Sequence, residues 1–413
     1  MTLAPVRADA ASSVRSKGAW AIVGATFIML AFNTGFGFYA LGAFNRGYID
    51  SVGMSVSATS AGATIFLLAG GISGLFVARL MKQVGIRWLL LAGTVGSAAC
   101  LAMLGAVTQV WQMWAVFLIF GLVSAGFSMI PTSAMVLGEF AEESVARPMA
   151  VMATGFSVGG AVLAPIITAV VLSFGIATAG IAMALTLLVV MIPLSIAATG
   201  HEPRIGSATY VATKVEKATG KEQHGSGGWP FFGVCIAYSL LLITQVSVVI
   251  HLLTLATERG IGGAAITLSL FASMAFVGRL IGLAIMPRFT LRSLSVVMAG
   301  LQVLALCILA FSADLMWLAI GAALMGLPSG NNQVFMPLWL LNLFGAARYP
   351  TVFARSNLIT GFSVALGPLY VGVVHESAGN YQLPFLVLAA SAVCAGVIIA
   401  TLPHKGATDH EMS

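Results

Sequence analysis

Charge is scarce in this sequence. Only 8% of the 413 residues are Asp, Glu, Lys or Arg, whereas 59% are hydrophobic, and the mean hydropathy is +1.01. Water-soluble globular proteins carry about 25% charged residues. The composition therefore excludes that class and indicates a membrane protein. The net charge of +6 is not clustered as a nucleic-acid-binding face requires, so no nucleic-acid partner is expected.

Two further absences exclude whole classes of chemistry. The four cysteines lie in apolar stretches without a CxxC pair or a His at ligand spacing, which excludes a disulfide framework and a metal site. Gly-x-Ser-x-Gly, HExxH and P-loop motifs are missing, and no apolar stretch holds the two carboxylates that acid–base chemistry requires. We expect neither an enzyme nor a nucleotide-driven pump, and no cofactor. Gradient-driven transport remains.

Long apolar runs are what the sequence does contain. Runs of about 20 residues can cross a bilayer, and twelve occur, six between Trp20 and Ala198 and six between Trp229 and Leu402. The predicted fold is an all-α membrane protein with twelve transmembrane helices. Its predicted parts are an N-terminal tail (1–19), a six-helix half (20–199), a polar linker (200–228), a second half (229–403) and a C-terminal tail (404–413).

The basic residues predict the orientation. With twelve spans, both tails and the linker share one side of the membrane, and outside the spans only Arg46 and Arg259 fall on the other. The positive-inside rule makes the shared side cytoplasmic. Short tails and the lack of glycosylation sequons in external loops favour a bacterial inner membrane. Nothing in the sequence demands an oligomer, so a monomer is expected.

The second half repeats the first. An offset of 206 residues superposes Trp111 on Trp317, Pro131 on Pro337, and the Gly-Phe-Ser-Val segment 155–158 on the same segment at 361–364. An even number of spans in each half gives both halves the same orientation. This parallel repeat is typical of transporters that bind substrate between the halves.

Arg279 is the one charged residue deep within a predicted span, Ala264 to Met286. An arginine at the bilayer centre costs at least about 2.5 kcal/mol, so it must face a cavity or a partner. No span offers a carboxylate to pair with it, so the simplest partner is an anion that comes and goes. The alternative is an arginine that reaches from its helix end to the membrane interface.

Polar side chains in other spans give further candidates. Asn33, Phe36 and Tyr39 recur at three-residue spacing and are expected to share one helix face, offering a hydrogen bond and aromatic walls to a small acid; helix packing also explains the aromatics. His251 is a candidate proton carrier or a hydrogen-bonded interface histidine.

Three consecutive amides, Asn331, Asn332 and Gln333, lie at membrane depth beside Pro328 and Pro337. Buried amides in a membrane need partners. They are expected to line either a substrate cavity or a hydrogen-bond network between helices, in a helix kinked by the prolines.

Short loops carry a degenerate transporter signature. The loop after the second span has Gly85 and Arg87, with Lys82 where an acidic residue is usual, and its counterpart has Arg288. In these positions the chain resembles the major facilitator superfamily, which implies a gating role for Gly85, Arg87 and Arg288. A basic loop that only sets topology is the other interpretation.

Within that superfamily, the chain is similar to the monocarboxylate porter and oxalate:formate antiporter branch. The similar segments are the glycine-rich first helix, the junction of the fourth and fifth helices, the eleventh helix and the turn after it, namely 34–44, 139–165, 361–372 and 379–385. The resemblance implies that Arg279, with Gly282, holds a substrate carboxylate.

Two departures bear on mechanism. Ala275 replaces the acidic residue that proton-coupled members place one turn before the arginine, and 357–368 lacks the second cation of dianion carriers. One buried cation suits one negative charge. The predicted function is therefore transport of a small organic anion, preferably a monocarboxylate, by exchange, weakly coupled uniport or proton symport. The alternatives are an exporter of amphipathic compounds and a transporter-like receptor without translocation.

Overall fold

The computed structural model describes residues 6–140, 146–200 and 228–403, and within these ranges the chain is helical with no strands. We number the membrane helices α1 to α12. They are α1 Gly18–Val52, α2 Val56–Val84, α3 Ile86–Ala106, α4 Val110–Glu139, α5 147–174, α6 176–198, α7 Trp229–Glu258, α8 Ala265–Ile285, α9 Leu291–Phe311, α10 315–344, α11 Arg355–Ala378 and α12 Gln382–Thr401. The predicted tail 404–413 and almost all of the predicted linker lie outside the described residues.

Ten segments in the described part of the chain are long and apolar enough to cross a membrane. One of them, Arg147–Ala198, contains two helices, because Gly175 interrupts it with a φ of 79°. Gly345, with a φ of 72°, likewise separates α10 from α11. Glycine adopts this left-handed conformation at no steric cost. With α5 and α6 counted separately, and α10 and α11 likewise, the described part of the chain is consistent with the predicted twelve helices.

Helices α1–α6 form the N-terminal half, and α7–α12 form the C-terminal half. We call the end of the bundle at 84–86 and 285–291 the terminal face, and the end at 52–56 and 378–382 the distal face. Apolar side chains cover the outside, and exposed tryptophans lie near both ends, Trp88 beside the terminal face and Trp111 on the distal side. Tryptophan is enriched at both membrane interfaces.

The halves meet through residues with small side chains. A Cβ at Gly42 of α1 would lie 2.9 Å from the carbonyl oxygen of Ile250 in α7, and one at Gly160 of α5 would lie 2.7 Å from the Cβ of Ala272 in α8. Without a hydrophobic driving force in lipid, close backbone approach at such residues drives helix association.

Helices α2 and α11 touch only along part of their length. At the distal face Gly372 packs against Ser60. Toward the terminal face the two helices border an open apolar wedge with a volume of about 60 Å³. Leu68, Leu75, Asn357 and Phe362 are among its lining residues. The halves are therefore in contact at the distal face, and an apolar wedge lies between the same two helices toward the terminal face.

Candidate functional site

Arg279 lies in α8, two turns before the helix ends at Ile285, and is half-buried. Its Nε–H donates to the carbonyl oxygen of Gly330 in α10, at 3.3 Å. It lies near Tyr39, which belongs to α1 of the other half. The side chain therefore points into the bundle and toward the interface between the halves. This geometry disfavours the alternative in which it reaches out to the membrane interface.

Glycines bring α10 against α8 at this point. A Cβ at Gly278 would lie 2.2 Å from the carbonyl oxygen of Leu327, and one at Gly330 would lie 1.8 Å from that of Ala275. Gly326 and Gly330 on α10 and Gly278 and Gly282 on α8 all have spacing four, the small-residue pattern of tight helix pairs. The sequence interpretation missed Gly330, although this pattern was visible.

The first helix departs from α-helical geometry where its candidate residues lie. Residues Asn33–Tyr39 form a π-helix. The expectation that Asn33, Phe36 and Tyr39 share one face is wrong, because three-residue spacing aligns side chains only in tighter helices. Asn33 donates to the carbonyl oxygen of Ser124 in α4 at 3.0 Å, and Phe36 packs edge-on against Phe32.

Tyr39 is the member of this group that faces the other half. A Cβ at Gly160 would lie 2.4 Å from Cζ of its ring, so the ring lies flush on α5, where Gly159–Leu163 is also π-helical. Ala272 of α8 borders the same space. Single π-helical turns occur often at functional sites. Here two of them, one in each of two adjacent helices, place a phenol beside Arg279.

The side chains of the three consecutive amide residues lie in different environments. Asn331 donates to the carbonyl oxygen of Gly278 at 2.8 Å, and Asn332 approaches Oε1 of Gln302 at 3.4 Å; both asparagines are about 1% exposed. Gln302 in turn donates to Thr244 of α7. Gln333 is exposed. These contacts favour the network interpretation for Asn331 and Asn332, and a substrate-binding role for the three amides stays a prediction.

His251 is fully buried, with neighbours at both ring nitrogens. Nε2 lies 3.1 Å from the carbonyl oxygen of Pro368, and Nδ1 lies 3.1 Å from the hydroxyl of Tyr381. A carbonyl oxygen can only accept, so Nε2 carries the proton and Nδ1 accepts from the phenol. Burial raises the pKa of Tyr381 well above its usual range, which keeps that donor protonated. Ser60 of α2 approaches Nε2 at 3.4 Å. The geometry matches the interface interpretation, and a proton-carrying role stays a prediction.

The site so described has one cation, aromatic and small side chains around it, and a position between two six-helix halves. The major facilitator superfamily model matches residues 26–327. The chain belongs to the major facilitator superfamily. It is a membrane transporter and not an enzyme, and its general class is secondary transport of a small-molecule substrate.

Solved structures of superfamily members have the same fold. The nucleoside transporter NupG, as its D323A mutant, superposes with a TM-score of 0.71 at 13% identity, over 92% of this chain and 99% of that one. A bacterial homologue of the human lysosomal transporter Spinster, in an inward-facing and occupied conformation, gives a TM-score of 0.68 at 12% identity, over 93% and 96%. No curated protein sequence matches. At these identities the likeness shows the fold alone, and it does not select the monocarboxylate branch.

The residues of the superfamily loop signature lie at the terminal face. Gly85 ends α2 with a φ of 80°, and its N–H donates to the carbonyl oxygen of Met81 at 3.1 Å. The turn therefore requires the positive φ that glycine adopts freely. Arg87 and Arg288 are exposed in corresponding connections at the terminal face. Their gating role stays a prediction.

Proposed function

We propose that this transporter carries a small organic anion, preferably a monocarboxylate, with Arg279 as the anchor for the carboxylate. The observation that carries the proposal is that the chain satisfies only part of the hydrogen-bonding capacity of the Arg279 guanidinium. Within the described part of the chain, its only hydrogen bond is the one from Nε to Gly330, and no carboxylate pairs with it. The two Nη groups remain available, and they form the edge that binds a carboxylate in a bidentate manner.

Energetics support a requirement for a mobile anion. A cation without a counterion is costly to enclose in a low-dielectric bundle, whereas a hydrogen-bonded ion pair is close to neutral and can be occluded. The loaded carrier then reorients faster than the empty one, which gives exchange or weakly coupled uniport. Proton symport requires that His251 or the substrate carry the proton.

Tyr39 supplies specificity in this proposal. Its ring forms a flat wall on α5, and the phenol lies near the guanidinium of Arg279. Asn33 bonds to α4 and so fixes the first helix around the π-helical segment. One buried cation and one phenol suit a single carboxylate on a small acid.

The proposal includes the arrangement in the cell. Both termini and the 200–228 linker lie in the cytoplasm of a bacterium, and the carrier acts as a monomer in the inner membrane. The terminal face is then the cytoplasmic face, and the distal face, where Gly372 packs against Ser60, is the external face. The excess of basic residues on the terminal face supports this orientation.

Thermal stabilisation of the purified protein tests the anchor. We expect a subset of monocarboxylates to raise the melting temperature of the wild type, and Arg279→Lys to abolish the shift, because an ammonium cannot reproduce the bidentate fork. Tyr39→Phe should weaken apparent affinity by about 3- to 10-fold, the effect of one lost hydrogen bond. Arg79→Lys, which changes an exposed arginine near the end of α2, serves as the matched control and should respond like the wild type.

A second candidate is an exporter of amphipathic compounds. The apolar lining of the wedge between α2 and α11 favours it, because its walls are mostly leucine, isoleucine and phenylalanine. Stabilisation by neutral hydrophobic compounds but by no carboxylate, unaffected by Arg279→Lys, would select this candidate and refute the anion anchor. Binding without flux in proteoliposomes would instead indicate a receptor.

A further inference from the structure

The distal face holds a contact in which one half caps a helix of the other. Helix α2 begins just after Ser55, whose side chain accepts from the N–H of Ala58 at 3.2 Å. The N–H of Ser57 donates instead to Oε1 of Glu376, at 2.9 Å. Glu376 lies near the end of α11, in the C-terminal half. The hydroxyls of Ser57 and Ser55 lie close to the same carboxylate.

A carboxylate is well suited to this position. The first N–H groups of a helix lack partners within it, and its N-terminus carries a partial positive charge. Glu376 satisfies one such donor and places a negative charge beside the helix end. Caps within one helix are a local stabilising device. The cap by Glu376 instead joins the two halves, which must separate if the distal face is to open.

The surrounding geometry positions the carboxylate. On α11, one turn before Glu376, Gly372 faces α2, where a Cβ would lie 2.6 Å from Oγ of Ser60 and 3.0 Å from Cα of Ser57. The next residue before Glu376 is His375, which pairs with Glu258 of α7 at 2.7 Å. The end of α11 is thereby fixed within its own half, and only glycine at 372 lets it approach α2 this closely.

We propose that Glu376 is the distal latch of this carrier: its cap on α2 stabilises the state that is closed at the distal face, and it must release for the distal face to open. The contact is exposed to water. Exposed ionic contacts contribute little free energy, so water can replace this one cheaply when the halves part. A contact of that strength sets the balance between states without trapping one of them.

The test compares two carboxylates that each accept a hydrogen bond from a backbone N–H at a helix N-terminus. Asp314 at the distal face accepts from the N–H of Trp317 and caps α10 within one half. Spin labels at Val52→Cys and Ser377→Cys, in a background without Cys307 and Cys394, report the distance between the halves at the distal face. A pair at Val84→Cys and Phe289→Cys reports the terminal face. The measurement is double electron–electron resonance on the protein without substrate, so its outcome does not depend on the anion proposal.

We expect Glu376→Ala to increase the distal-open population about 3- to 10-fold, the scale of losing a helix cap, and to shorten the terminal-face distances. Glu376→Gln should give a smaller shift, since its amide still accepts but carries no charge. Asp314→Ala should leave both distributions as in the wild type. Gly372→Ala, which keeps the carboxylate but adds a methyl at the contact, should also open the distal face. Unchanged distal distances in Glu376→Ala, or an equal change in Asp314→Ala, would overturn the latch.

Discussion

A hydrogen bond joins the side chain of Arg279 in α8 to the backbone of Gly330 in α10: the Nε–H of the arginine donates to the glycine carbonyl oxygen at 3.3 Å. Gly330 has no room for a side chain, because a Cβ there would lie 1.8 Å from the carbonyl oxygen of Ala275. The carbonyl that orients the guanidinium is therefore in place only because α10 lies directly on α8. The orientation of the proposed anion anchor depends on a residue that contributes no side chain.

This relationship predicts the effect of Gly330→Ala. The added methyl must push α10 away from α8, and such overpacking costs about 1–3 kcal/mol. We expect a lower apparent melting temperature together with a weaker response to carboxylates, although Arg279 is unchanged.

Gly300→Ala is the matched control for that change. Gly300 also lies within a membrane helix, α9, but a Cβ there has no neighbour within 4 Å. Alanine is the better helix former, so the control should be as stable as the wild type or slightly more stable, with its anion response intact. A Gly330→Ala protein with wild-type stability and wild-type response would contradict the proposed role of the close contact.

The helical fold could be predicted from the sequence because the membrane leaves few options. In lipid every backbone polar group needs an internal partner, so apolar runs of sufficient length become helices. Gly175 and Gly345 separate consecutive helices, and both adopt positive φ. The 206-residue repeat places Trp111 and Trp317 at the starts of α4 and α10, the corresponding helices of the two halves.

The candidate site was less predictable. The burial cost of a lone cation made Arg279 visible in the sequence, whereas nothing in the periodicity of α1 indicated the π-helical turn that separates Asn33 from Tyr39. Contacts across the halves were also invisible, because Glu376 and Ser57 are 319 residues apart. Such pairs are fixed by how two packed bodies meet, which depends on small residues such as Gly160 and Gly372 and not on local sequence preference.

A second prediction concerns the role of His251. Both ring nitrogens are engaged, so we expect a structural role in which His251→Gln lowers stability by about 1 kcal/mol per lost hydrogen bond and leaves the pH dependence of transport unchanged. The measurement is uptake into proteoliposomes across an imposed pH gradient.

Tyr381→Phe separates the two interpretations of His251. It breaks the same hydrogen bond from the other side without changing the titratable group. If both variants keep the wild-type pH profile, the histidine is structural. If only His251→Gln loses proton-driven uptake, the proton-carrying role is established and the structural prediction is wrong.

Arg259 provides the contrast to Arg279, because both of its Nη groups donate hydrogen bonds to the chain. Its Nη1 donates to the carbonyl oxygens of Leu309 and Ser312 at 3.0 and 2.6 Å, and its Nη2 donates to that of Ala310 at 2.6 Å. These carbonyls lie at the C-terminal end of α9, where a cation also interacts favourably with the helix dipole. Arg259 is therefore a helix cap, and its two Nη groups are already engaged by α9.

We expect Arg259→Lys to destabilise the protein by about 1.5–3 kcal/mol, since an ammonium cannot serve three carbonyls in a fixed fork. The shift in melting temperature caused by carboxylates should persist. Arg46→Lys is the control, because Arg46 pairs with the exposed Asp50 one turn away, an arrangement worth only about 0.3–0.5 kcal/mol. If Arg259→Lys instead removed the response to carboxylates at unchanged stability, the anion site would have to be moved from the interface between the halves to the distal face, and with it the proposed role of Arg279.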